Sequence, residues 1–224
     1  MDLLAKGGFF MYPILMVSIA GLALIIERVY TLWLRYRLDE EGFVKGLMHA
    51  LDEQDFTGAL EECARAQNNP LSRVLRAGLL KVHRSDKEIE RAMEEEMLRT
   101  APMIRKRIGY LATFGNVATL LGLLGTIFGL IQAFEGVSMA DPATKQEILA
   151  RGISVAMLTT AFGLIVAIPC LLLHAFLQSK SIQMIEGLEE KAFALFNKIS
   201  ALHRDIEKKE VRLRMKSIEG GRRA

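Results

Sequence analysis

Three stretches of this chain, Gly7 to Ile26, Ile108 to Phe134 and Gly152 to Ser179, contain no Asp, Glu, Lys or Arg. At about 1.5 Å of rise per helical residue, each is long enough to cross a hydrocarbon layer of roughly 30 Å. A hydrophobic content of 51% over 224 residues would also suit a water-soluble domain. Here, however, the apolar residues are gathered into three blocks with the charges between them, which predicts an all-α membrane protein of three transmembrane helices. Long helices are expected to extend from these spans into a cytoplasmic helical domain.

The basic residues predict the orientation. Arg35 to Arg107 carries 14 Lys or Arg and Ser179 to Ala224 carries 11, whereas the connection from Glu135 to Arg151 has only Lys145 and Arg151. The positive-inside rule therefore puts the middle segment and the tail in the cytoplasm, and the N-terminus and the Gly136–Ala150 loop outside. Phe9, Phe10 and Tyr12 at one end of the first span, and Tyr30, Trp33 and Tyr36 at the other, suit the two interfaces. The expected organisation is residues 1–34 as outer N-terminus and first span, 35–107 as cytoplasmic helical segment, 108–178 as second and third spans, and 179–224 as cytoplasmic helix and basic tail. The apolar part of residues 1–26 is longer than a signal-peptide core and ends in no A-x-A site, so cleavage is not expected. Cys63 and Cys170 fall in different compartments and predict no disulfide.

Within the cytoplasmic segment, loop signals divide helices around Asp39–Leu51 and Asp55–Ala66, one opening at Asn69-Pro70, and one beginning at Ser85, where Ser85 and Glu88 have capping-box spacing. The last should lead into the second span, with a bend at Pro102. The third span should continue as an amphipathic helix through Ile182, Ile185, Leu188, Ala192, Leu195 and Ile199. The final few residues are expected to lack order. Interleaved acids and bases in both charged regions read as solvated helix surface and do not support nucleic-acid binding.

Small and hydroxylic residues recur at 4- and 3-residue intervals in the later spans: Gly115, Thr119, Gly122, Thr126, Gly129 and Ala133, then Gly152, Ala156, Thr160, Gly163, Ala167, Cys170 and His174. Such rows share a helix face. They can be packing seams, Gly125 to Gly129 being a GxxxG match, or they can line a space for another helix, where threonine hydroxyls can bond a titrating group. The two readings are compatible. Neither later span contains an acid, and His174, near the cytoplasmic end, is the only ionisable candidate inside them. Any intramembrane carboxylate must then come from another polypeptide. No metal or cofactor site is expected, and no nucleophile with a base, metal cluster or phosphate loop points to an enzyme.

Three strings in order, Gly21-Leu-Ala-Leu-Ile-Ile-Glu27-Arg28, Leu120-Leu-Gly-Leu-Leu-Gly-Thr-Ile-Phe-Gly129, and Gly152-Ile-Ser with Thr159-Thr-Ala-Phe-Gly-Leu-Ile-Val-Ala-Ile-Pro169, resemble the MotA/TolQ/ExbB family, in its three-span TolQ and ExbB branch. These are the larger subunits of ion-driven motors in bacterial inner membranes. The resemblance implies a multi-pass inner-membrane homopentamer with a periplasmic N-terminus and a cytoplasmic C-terminus. Its second and third spans would surround single-span ExbD- or TolR-like partners that each bring an Asp. Proton flow would become work on the envelope through a TonB/TolA-like or motility partner. The family's third-span threonine falls on Thr160. Thr126, Thr119, Asn116, Thr159 and His174 are the other expected ion-pathway or Asp-facing residues, with Gly115, Gly122, Gly129, Gly152, Ala156, Gly163 and Ala167 as the pore-face packing row. The family pattern is broken at Val117, where a threonine is usual, at Val155, where a glutamate is usual, and at His174-Ala175, where a Tyr-Asn pair is common. A divergent member is implied, and a non-conducting scaffold that holds a partner helix is the rival reading.

Overall fold

The structure is a computed structural model that describes residues 8–36 and 40–221. Asp39, where the first cytoplasmic helix was expected to open, and residues 1–7 and 222–224 of the two termini lie outside the described residues. Every element among the described residues is helical: α1 (Met11–Tyr30) with a π-helical turn at Thr31–Arg35, α2 (Glu40–Asp52), α3 (Phe56–Arg65), α4 (Pro70–Leu79), α5 (Asp86–Arg105), α6 (Ile108–Met139) and α7 (Lys145–Gly221). Among the described residues, three helices are long and apolar enough to cross a membrane. The chain divides into two compact units, residues 1–31 with 105–181, and residues 32–104 with 182–224.

The first unit contains α1, α6 and the first half of α7. Pro13 is tolerated in α1 because it sits in the first turn, where its missing N–H has no intrahelical partner to lose. Ile14 of α1, Ala118 of α6, and Val166, Ala167 and Cys170 of α7 form the core, with Val17, Ile25, Leu121 and Phe162 packed around it. Large apolar side chains such as Met16, Ile19 and Leu22 point outward, as they can where lipid is the solvent. The connection between α6 and α7 is shorter than the sequence suggests. Helix α6 runs to Met139 and α7 begins at Lys145, because a turn at Asp141, whose carbonyl accepts from the Thr144 and Lys145 amides, lets Gly136 meet the side chain of Ile148.

Pro102 lies inside α5, and the helix boundary falls at Lys106 and Arg107. Arg107 adopts φ 62°, the left-handed conformation that L residues other than Gly, Asn and Asp seldom take, and α6 starts immediately after it.

The second unit is built by local caps. The Asp55 carboxylate accepts from the Gly58 amide at 2.9 Å to open α3, and the Asn69 side chain accepts from the Leu71 amide at 2.8 Å to open α4 at Pro70. The Ser72 hydroxyl donates to the Cys63 carbonyl at 2.6 Å, joining α4 to α3. Burial pushes the Cys63 thiol up to about 11. From α7, Ile185, Leu188, Ala192, Leu195 and Ile199 are buried at 3- and 4-residue intervals, while Ile182 stays at the surface. Lys191 pairs with Glu40, and Lys198 with Asp52.

His203 of α7 lies 3.0 Å from an Asp86 carboxylate oxygen through Nδ1, and 2.6 Å from the Val82 carbonyl through Nε2. The hydrogen bond to His203 holds the Asp86 carboxyl below the usual carboxylate range. A depressed carboxyl stabilises fully above its unfolded value of about 3.9 and loses that contribution as pH falls through the folded value. Asp86→Asn should therefore melt below the wild type at pH 7, with the difference shrinking as pH falls below the unfolded value of about 3.9.

Candidate functional site

The glycine rows of α6 and α7 face each other within one chain. A Cβ added to Gly122 would lie 3.2 Å from the Thr159 carbonyl and 3.3 Å from the Thr160 Cα, and one added to Gly163 would lie 2.7 Å from the Ala118 carbonyl. Gly129 meets Ala156, Gly152 meets Ala133, and Gly115 meets Leu171 and the Ala167 carbonyl. At this seam the two backbones touch, an approach only small residues allow. Gly115, Gly122, Gly129, Gly152, Ala156, Gly163 and Ala167 are thus the contact between neighbouring helices of the same chain.

Helix α1 covers one side of this seam. Gly21 abuts the Cys170 thiol and Phe114, the Phe10 and Phe128 rings are 5.0 Å apart, and Gly8 meets Val155. At 3.6 residues per turn, Phe114, Leu121 and Phe128 lie on the α1 side of α6, while Asn116, Thr119, Leu123 and Thr126 lie on the opposite flank. The same geometry puts Val155, Phe162 and Val166 of α7 toward α1, and Thr160, Leu164 and Leu171 away from it. The flank opposite α1 is the candidate site, an open surface that carries Asn116, Thr119, Thr126 and Thr160 among leucines.

The hydroxyls on this flank are satisfied without water. Thr119 donates to the Gly115 carbonyl at 3.1 Å and Thr126 to the Leu123 carbonyl at 2.6 Å, both within α6. Thr160 is different because it donates across the seam, to the Gly122 carbonyl at 3.2 Å. It is half-buried, so its oxygen keeps a free lone pair at the edge of the open flank. Thr159 is 1% exposed, donates to the Val155 and Ala156 carbonyls, and packs against Gly125, so it belongs to the seam. His174 is half-buried and makes no hydrogen bond among the described residues. No group of residues able to hold a metal ion occurs among the described residues.

A second polar feature lies at the other end of α1. Arg107 donates to both carboxylate oxygens of Glu27, at 2.8 and 2.9 Å, and Arg28 donates to one of them at 2.7 Å. Arg28 is 5% exposed and its Nε has no hydrogen-bond partner among the described residues. The Glu27 carboxylate therefore neutralises a buried arginine and anchors the left-handed Arg107 at the start of α6. Glu27→Gln should lower stability by about 1–3 kcal/mol, less than for a fully buried pair because Glu27 is partly exposed, as read by thermal unfolding in detergent. This cluster was missing from the expected site residues. Its signal was the opposite charge of Glu27-Arg28 and Arg105-Lys-Arg107 at one membrane face.

Residues 66–190, more than half of the chain, match the MotA/TolQ/ExbB proton channel family. The chain belongs to that family. It is 34% identical over 188 residues to the putative biopolymer transport protein ExbB-like 1 of Synechocystis sp., covering 83% of this chain and 73% of that protein. Against the biopolymer transport protein exbB1 of Vibrio cholerae it is 29% identical over 164 residues, 72% of each chain. Against the Tol-Pal system protein TolQ of Haemophilus influenzae the identity is 39% over 84 residues, 38% of this chain and 36% of that one. As a multi-pass member of the MotA/TolQ/ExbB family, the chain presents its threonine flank inside the matched region, and Glu27 outside it.

Proposed function

We propose that this chain is the larger inner-membrane subunit of a proton-driven envelope motor, five copies of which enclose single-span companions that each carry an intramembrane Asp. The N-terminus is periplasmic and the C-terminus cytoplasmic. The observation that carries the reading is the bond from Thr160 to the Gly122 carbonyl, at the edge of a flank that offers hydroxyls and no carboxylate. When the companion's acid is protonated, its O–H donates to the Thr160 oxygen while Thr160 keeps its bond to Gly122. When the acid is ionised, Thr160 turns its own hydrogen to the carboxylate, and the Gly122 carbonyl retains its helical partner. An ionised group without such a donor is costly in this setting.

The energies are of one scale. A hydrogen bond to a charged group is worth about 1.5–3 kcal/mol, and one proton crossing 100 mV delivers about 2.3 kcal/mol. A single proton can therefore break and remake the contact, which is what stepping one helix past another requires. The work passes outward through the companion to an import, envelope or motility partner.

The test is proton flux in liposomes that hold this chain with its companion. Flux is expected, and it should vanish when the companion's membrane acid becomes Asn; undiminished flux without that acid would overturn the reading. The non-conducting scaffold is favoured by Val155, which packs toward Gly8 and offers no carboxylate where the family resemblance implies a glutamate. Absence of flux from an intact complex would select it.

A further inference from the structure

In the second unit, two grooves flank α5 at the same level. The first, between α5 and α7, has a volume of about 320 Å³ and is lined by Glu90, Glu94, Met97, Glu189, Phe193 and Phe196. The three carboxylates are exposed and have no cation partner among the described residues, and Phe193 is 66% exposed. This unit bears the charged surface of the chain, so an aromatic ring left open here is not explained by lipid. The second groove, between α4 and α5, measures about 190 Å³ and is edged by Arg73, Arg76, Ala77 and Leu80. Arg73 is held by Glu96 at 2.7 Å, but Arg76 is exposed with no ion pair among the described residues, and Leu80 is 61% exposed.

The levels match because Met93, between Glu90 and Glu94, packs on Gly78, between Arg76 and Leu80. The sides differ because the α5 residues lining the first groove, Glu90, Met93, Glu94 and Met97, are centred roughly 110° around the helix from Glu96, which lines the second. One flank is thus acidic and aromatic, and the other basic and aliphatic. Two unlike, complementary patches on different sides at one level can join head to tail and close into a ring.

We infer that the α5–α7 groove receives the Arg76–Leu80 edge of a second copy of this chain, with Leu80 against Phe193 and Arg76 among Glu90, Glu94 and Glu189. The inference rests on the multi-copy assembly proposed above and adds its contact surface. Charge complementarity fixes the register of neighbours, and the Leu80–Phe193 contact excludes water at its centre.

The test uses full-length chains co-expressed with different tags in membranes, one bearing Leu80→Cys and the other Phe193→Cys, and oxidised. The natural thiols do not interfere, since Cys63 is buried with its thiol pushed up to about 11 and Cys170 is buried inside a span. A mixed disulfide is expected to form at least about tenfold faster than from Leu80→Cys with Leu98→Cys, an exposed control. Arg76→Glu and Glu94→Arg should each slow it about tenfold, and the two reversals placed on partner chains should restore it. A mixed disulfide no faster than the control in an assembly that native mass spectrometry finds intact would overturn the contact and leave the motor reading untouched. A monomeric chain would overturn both, and lack of proton flux alone would bear only on the motor.

Discussion

Thr160→Val is expected to cut proton flux by about 10- to 100-fold while the protein stays folded, and Thr160→Ser to retain most of it. Losing this one hydroxyl has two separable consequences. For stability, valine replaces threonine with nearly the same volume, and the Gly122 carbonyl still accepts its bond within α6, so the loss is about 0.5–1.5 kcal/mol. For transfer, the companion's carboxylate loses its donor in a medium without water. A charged hydrogen bond of about 1.5–3 kcal/mol then appears in the barrier, and each 1.4 kcal/mol is a factor of ten. Thermal unfolding measured beside flux distinguishes the two, because a mutant that merely unfolds would lose both together.

Gly163→Leu should have the largest effect on the fold. Even the first added carbon meets the Ala118 carbonyl at 2.7 Å and the Gly122 Cα at 3.1 Å, both backbone atoms that no rotamer can move aside. The α6–α7 seam must open, and with it the contact that holds Thr160 to Gly122. A loss above about 3 kcal/mol is expected, seen as a large drop in the unfolding temperature in detergent or as failure to accumulate in membranes. Gly109→Ala is the control. A Cβ there meets nothing within 4 Å, so this change should be neutral or should stabilise α6 by up to about 1 kcal/mol. If both glycines tolerate substitution, the seam does not hold the helices together.

The spans were legible because a run without charge longer than a bilayer has few other solutions, and the strings around Gly122 and Gly163 carried the family. The caps at Asp55 and Asn69 were legible for a similarly local reason, since one side chain bonds an amide two or three residues away. The sites were less so. A 4- and 3-residue recurrence fixes a face to within about a quarter turn, and the row of Gly115, Thr119, Gly122 and Thr126 straddles an edge. Its glycines enter the seam and its threonines stand beside it, a division set by where α7 packs on α6, which no local spacing contains. The bond from Arg107 to Glu27 joins residues far apart in the chain, and the left-handed Arg107 moves the helix boundary to a point beyond Pro102. Both depend on tertiary contacts.

The companion helix is expected to lie on the flank of α6 and α7 that faces away from α1. Disulfide formation between a cysteine at the companion's acid position and single cysteines placed in this chain measures that directly. Leu123→Cys and Leu164→Cys, on the open flank, are predicted to cross-link to the companion, and Leu22→Cys, on the outer face of α1, is predicted not to. Cross-linking through Leu22→Cys with none through Leu123→Cys or Leu164→Cys would contradict it.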